Sequence, residues 1–168
     1  MIGFVYDVQD VARFVINYSY NIDSPISNLK LQKILYFIQA DFLSGLGRPC
    51  FNEDIVAWDF GPVVPKVYHE YKKFGSSFIP LVEKYVDDKN GIWNSRIVRY
   101  TDECIKAEED RKRIKEMVEE CSKYSAAQLV EITHNQTPWE DARYSFNPNK
   151  IITQSAIQNY FAGDHENE

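Results

Sequence analysis

Sixteen residues, Ala57 to Lys72 (AWDFGPVVPKVYHEYK), carry two backbone periods back to back. Ile55, Ala57 and Asp59 alternate with Val56, Trp58 and Phe60, a β-branched and aromatic run that suits a short strand. Gly61-Pro62 is expected to stop it, because glycine opens unusual φ and proline lacks the N–H that a ladder needs. Pro65 then stands where a helix would begin, a place where its missing N–H costs nothing. Val67, Tyr68 and Tyr71 follow at helical spacing, with Lys66, Glu70, Lys72 and Lys73 on the other side. A strand thus passes through a stiff loop into a helix, and the loop fixes where Trp58, Tyr68 and its own backbone point.

A chain of 168 residues is long enough to bury a real core, and we expect one domain over residues 1–162 with 163–168 a frayed polar tail. No apolar run reaches membrane-spanning length, and Asp7, Asp10 and Arg13 interrupt what would be a secretory signal. Cys50, Cys104 and Cys121 are widely spaced and form no C-x-x-C pair, which fits reduced cytoplasmic thiols better than a disulfide framework or a zinc site. The reading is a cytoplasmic protein with no membrane contact.

The net charge of −6 is unevenly placed. Residues 1–101 hold 11 basic and 11 acidic side chains, so residues 102–168 carry the whole excess. Phosphate neutralisation needs a clustered Lys/Arg surface, so direct DNA binding is not expected. The excess serves solubility or meets a basic partner.

Along the chain, Asp7 is placed to cap a first helix with Val8, Val11, Ala12, Val15 and Ile16 on its inner face and Asp10, Arg13 and Asn17 off it. Ser27 or Asn28 caps a second, whose stripe of Leu31, Ile34, Leu35, Ile38 and Phe42 is widened by Tyr36 and Phe37 into a mostly buried, central helix. Gly45 and Gly47 end it. Ile92, Trp93, Ile97, Val98 and Tyr100 predict a small ribbon with Asp87 to Gly91 as its turn. Asp102 opens a charged helix reaching about Tyr124, read as a solvated face over an inner stripe of Ala107, Ile114, Met117, Val118 and Cys121. Ser125 with Gln128 is a capping box for a helix to His134, Trp139 to Arg143 forms a further turn, and Thr153 caps a last helix. The fold class is mainly α, with a minor β element near residues 54–60 and 92–100.

No set of catalytic residues emerges. Gly45 and Gly47 lack the spacing of a phosphate loop, and His69-Glu70 lacks the second histidine of a zinc hydrolase, Lys73 standing in its place. No nucleophile elbow is present, although residues far apart in sequence could still meet in space around His134. No metal or cofactor is expected. His134-Asn-Gln-Thr-Pro-Trp139, with Arg143 one turn on, reads either as an exposed Trp–Arg anchor for a partner or as a core tryptophan beside a helix end.

Three stretches occur in order: Lys30-Leu-Gln-Lys-Ile-Leu-Tyr-Phe37, Ala57-Trp-x-x-Gly61-Pro-Val-Val-Pro65-x-Val-Tyr68, and His134-x-x-x-Pro138-Trp139-x-x-Ala142-Arg143. Together they resemble the Panacea domain, the SocA-like antitoxin domain of phage-associated proteins, over roughly Val5 to Phe161. The resemblance implies a mostly helical domain that neutralises a toxin encoded beside it by direct protein contact. It also raises a proteolytic adaptor that hands its client to an AAA+ protease. An enzyme with a site near His134 is the reading from another class. Within the motifs, Lys30, Gln32, Trp58, Gly61, Pro62, Tyr68, His134, Pro138, Trp139 and Arg143 are the candidates for a role beyond apolar packing, as a partner surface or as a buried polar network.

Overall fold

The computed structural model describes residues 3–163. Helix α1 (Val8–Asn21) is capped by Asp7, whose carboxylate accepts from the Gln9 N–H. Helix α2 (Asn28–Leu46) is capped by Ser27 and ends at Gly47, whose φ of +67° is a left-handed C-cap. Strand β1 (Ile55–Trp58) and strand β2 (Gly61–Val63) form a hairpin that leads into α3 (Pro65–Tyr71). A ribbon of β3 (Lys84–Asp87) and β4 (Arg96–Arg99) follows, then α4 (Glu108–Ser122), α5 (Ala126–His134), α6 (Thr137–Arg143), β5 (Ile151–Ile152) and α7 (Gln154–Gly163). The protein is mainly α with a few short antiparallel strands.

Helix α2 is the axis of the molecule, packed against α1, α3, α4, α5, α7 and β2. Leu31, Leu35, Tyr36 and Phe42 are fully buried along it, each contributing about 2 kcal/mol of apolar burial before entropy is subtracted. Because neighbours surround it, its polar residues are buried too: Gln32, Lys33 and Gln39 have no more than 1% of their surface exposed.

Several expectations need correction. Gly61-Pro62 does not stop β-structure; it is β2, pairing Trp58 with Gly61 and Ala57 with Pro62. The sheet order β2-β1-β5 makes β2 an edge, and ladder alternation turns the main chain of Pro62 away from β1. The missing N–H therefore costs the ladder nothing. The reversal falls on Asp59-Phe60, with Gly61 at φ +104°.

Helix α1 is buried nearly all round, so Asp10 and Asn17 are not on a free face. Asp10 holds Arg13 at 2.8 Å and Lys89 at 3.1 Å. Asn17 donates to the Val82 carbonyl at 2.8 Å and accepts from its N–H at 2.9 Å. Gly45 lies inside α2 rather than ending it. The ribbon's first strand is Lys84–Asp87, and Ile92–Asn94 is a 3₁₀ turn in the connection. Asp102 starts only a 3₁₀ turn, because Ile105 enters the core in extended geometry and α4 begins after Ala107. The face of α4 is not wholly solvated either: buried Asp110 accepts from Tyr6 Oη at 2.6 Å and from Arg48 at 2.8 Å. The turn expected from Trp139 starts earlier, as α6 opens at Thr137 with Pro138 in its first turn. Of the expected tail, Gly163 closes α7 and residues 164–168 lie outside the described residues.

Candidate functional site

Nine of the ten motif candidates gather on the β1–β2 hairpin. From α2, the Gln32 amide oxygen accepts from the Val64 N–H at 2.9 Å, and its amide nitrogen donates to Asn28 Oδ1 at 2.9 Å. Lys33 Nζ donates to the Pro62 carbonyl at 3.0 Å. These two side chains cover the outer edge of β2, satisfying main-chain groups that a fourth strand would otherwise take. A side chain at Gly61 would meet Lys33 Cε at 2.6 Å and Thr133 Oγ1 at 2.9 Å, so only glycine lets the edge come this close.

From α5 and α6 the hairpin is held at its turn. Trp139 Nε1 donates to the Trp58 carbonyl at 2.8 Å. His134 Nε2 lies 2.9 Å from the Asp59 carbonyl, and its ring stacks on Trp139 with centroids 4.1 Å apart. Arg143 pairs with the Asp59 carboxylate. Pro138 is buried at the first turn of α6, where it directs Trp139 inward; Trp139 is only 7% exposed. On the other flank the Trp58 ring meets Tyr68 edge-to-face at 5.0 Å, and the Tyr68 carbonyl accepts from Asn28. The sequence motifs thus describe a clamp: one helix on the hairpin's edge, two on its turn.

Lys30 stands apart from this clamp, donating to the Tyr124 carbonyl at 2.7 Å where α4 gives way to α5. Burial lowers its pKa. Trp139 belongs to the core rather than to an exposed Trp–Arg pair, so its contribution to any partner is through the hairpin it holds. What the clamp leaves open to solvent is Phe60, 68% exposed at the hairpin tip, with Asp59 beside it and Tyr144 and Phe146 exposed just after α6.

Sequence reading passed over Lys33, the most unusual group of the clamp. It has no surface exposure, its one bond is to a carbonyl, and burial pushes its pKa down to about 7. The signal was available, since a helix buried on every side must bury the lysine between Gln32 and Ile34. Gln39, which accepts from the Cys50 N–H and donates to the Phe51 carbonyl, and Tyr36, which donates to Gln136 at 2.7 Å, were passed over for the same reason.

Chemically, the site is suited to holding a loop. His134 is engaged by a carbonyl and an indole, neither of them a nucleophile. The thiols are raised by burial, Cys104 to about 11 and Cys121 to about 12, away from the thiolate. Among the described residues no three His, Cys, Asp or Glu side chains gather to hold a metal ion, and no helix is long and apolar enough to cross a membrane. An open cleft of about 1060 Å³ lies between α1, α3 and residues 79–89, lined by Arg13, Lys66, Glu70 and Lys84 among others, and none of the ten candidates lines it.

A family model described as Antitoxin SocA-like, Panacea domain, matches residues 31–140, from the first turn of α2 to α6. Antitoxin SocA of Caulobacter vibrioides (strain NA1000 / CB15N) is 44% identical over 73 residues, which is 44% of this chain and 39% of that protein. The match therefore spans well under two thirds of the relative's own length. No solved structure matches.

Proposed function

The chain belongs to the SocA-like Panacea family, and from that premise we propose that it is an antitoxin that neutralises a cognate toxin, the product of the adjacent gene, by direct contact. The protein acts by binding and carries out no reaction of its own. The observation that carries this reading is the hairpin clamp. Three separated motifs converge on one short turn and hold it from both sides, while Phe60 at its tip points to solvent. A pre-ordered tip loses little entropy on binding, which is how a small exposed aromatic contact gains affinity. The family match takes in Gln32, Lys33, the turn, His134 and Trp139 but stops short of Arg143, and that supports a shared role for the residues it covers.

The test is co-expression of the tagged chain with the adjacent gene product, read by growth and by pull-down. A stable complex with restored growth is the expected result. Absence of both sinks the reading. A complex without rescue moves the protein to the adaptor role, in which toxin half-life would fall only when an AAA+ protease is present.

A further inference from the structure

The β3–β4 ribbon pairs Lys84 with Arg99, Tyr85 with Val98, Val86 with Ile97 and Asp87 with Arg96. Side chains alternate across a ribbon, so Lys84, Val86, Ile97 and Arg99 share one face. The opposite face is engaged: the Arg13 guanidinium lies 3.6 Å from the Tyr85 ring centroid, and Arg96 reaches Asp87 at 3.9 Å. The first face is bare. Val86 is 60% and Ile97 71% exposed, and Trp93 in the connection is 95% exposed. Lys84 and Arg99 stand opposite each other at one end of this face, next to the apolar pair Val86 and Ile97. None of these four paired residues is a carboxylate.

The backbone is free as well. The Tyr100 N–H donates to the Glu83 carbonyl at 2.9 Å, which sets the phase of the ladder. By that phase the main-chain groups of Ile97 and Arg99 point away from β3, along an edge where they hydrogen-bond to no other described residue. Natural edges are covered or blunted. The edge of β2 is covered by Gln32 and Lys33, whereas nothing covers β4 among the described residues.

We propose that the free edge of β4 is a docking site for an extended acidic segment of a partner protein. The segment adds as a third strand, setting its apolar side chains over Val86 and Ile97 and its carboxylates beside Lys84 and Arg99. A second copy of this chain fits the edge poorly. Pairing β4 with itself would bring two copies each of Arg96 and Arg99 into one small sheet. This docking is independent of toxin neutralisation and would stand if that reading failed.

The full chain is titrated with a blocked Glu-Val peptide (Glu-Thr-Val-Thr twice, so that carboxylates and valines fall on one face of the strand), its Lys-Val counterpart with lysine for glutamate, and an oligo-dT strand, followed by backbone amide NMR. The Glu-Val peptide is expected to bind, with the largest shifts at the Ile97 and Arg99 amides. Ile97→Pro removes the outward N–H while leaving the inner ladder bonds of Tyr85 and Val98, and it should weaken binding about tenfold. The double change Lys84→Glu with Arg99→Glu alters only exposed side chains and should weaken it at least as much, so the test survives if the proline variant does not fold. No binding, equal binding of the Lys-Val peptide, shifts confined elsewhere, or preference for the oligonucleotide would overturn the proposal. So would self-association through β4 in sedimentation.

Discussion

Lys33 Nζ donates to the carbonyl of Pro62 at 3.0 Å, a buried ammonium held by a main-chain oxygen with no carboxylate paired to it among the described residues. An unpaired charge in such a place is costly, and burial accordingly lowers the pKa from its ordinary 10.5 to about 7. The unfolded chain keeps the ordinary value. Between the two, unfolding takes up a proton that the folded state does not hold, so stability rises with pH by up to about 1.4 kcal/mol per unit. The penalty is complete below pH 7 and would vanish above 10.5. Lys30, also lowered by burial, adds in the same direction. From the ordinary thiol value of 9 upward the slope is opposed, because Cys104 and Cys121 stay protonated in the fold while unfolded thiols ionise. Urea unfolding should therefore show stability rising from pH 7 to pH 9, with a smaller slope in Lys33→Met. Equal slopes in the two proteins would mean that Lys33 is not the group responsible.

The same contact makes Gly61 exacting. Alanine there would need φ near +104° and would place its Cβ 2.6 Å from Lys33 Cε. Strain and overpacking together should cost about 3 kcal/mol. Gly47→Ala is the control, since its φ is +67° but nothing lies within 4 Å of the added carbon. It should cost only about 1 kcal/mol. Thermal unfolding of both variants separates close packing from backbone preference, and equal losses would remove the packing half of the explanation.

Asn17 ties residues 79–89 to α1 through two bonds to one residue, Val82. Asn17→Ala leaves both main-chain groups without that partner and should cost about 2 kcal/mol. The loss should be local first: amide exchange in β3 and β4 should accelerate more than in α2. Uniform acceleration would show that the ribbon and the core open together.

Much of the fold was legible because it follows local rules. Asp7, Ser27 and the Ser125–Gln128 box cap the helices they were expected to cap, and the stripe from Leu31 to Phe42 marked the central helix. What escaped depends on what lies across from a residue. Pro62 reads as a breaker until one sees that it is on an edge and that its main chain faces α2. Asp10 and Asn17 look like a polar face until Lys89 and Val82 arrive from some seventy residues away. For the site, the resemblance picked out three stretches but could not say that Gln32, Trp139 and Arg143 all act on one hairpin. It also missed Lys33, whose burial the apolar helix implied but whose lack of a carboxylate partner among the described residues no sequence displays.

If the hairpin tip is the toxin contact, stability and binding should respond differently at each of three positions. Phe60 is 68% exposed, so Phe60→Ala should leave stability within about 0.5 kcal/mol. A central aromatic contact is nonetheless worth at least about 1.4 kcal/mol in a complex, a tenfold loss of affinity. Arg143→Ala breaks an ion pair in which the Asp59 side chain is 74% exposed, and should cost less than about 1 kcal/mol of stability. Its effect on the complex reports whether Asp59 must be held. Trp139→Phe keeps the ring in the core but removes the donor to the Trp58 carbonyl, so it should cost about 1–2 kcal/mol of stability and weaken binding indirectly. Denaturation and toxin-binding titrations on the three variants decide the matter. If Phe60→Ala binds like wild type while Trp139→Phe loses stability, the clamp serves the fold alone and the toxin is met elsewhere.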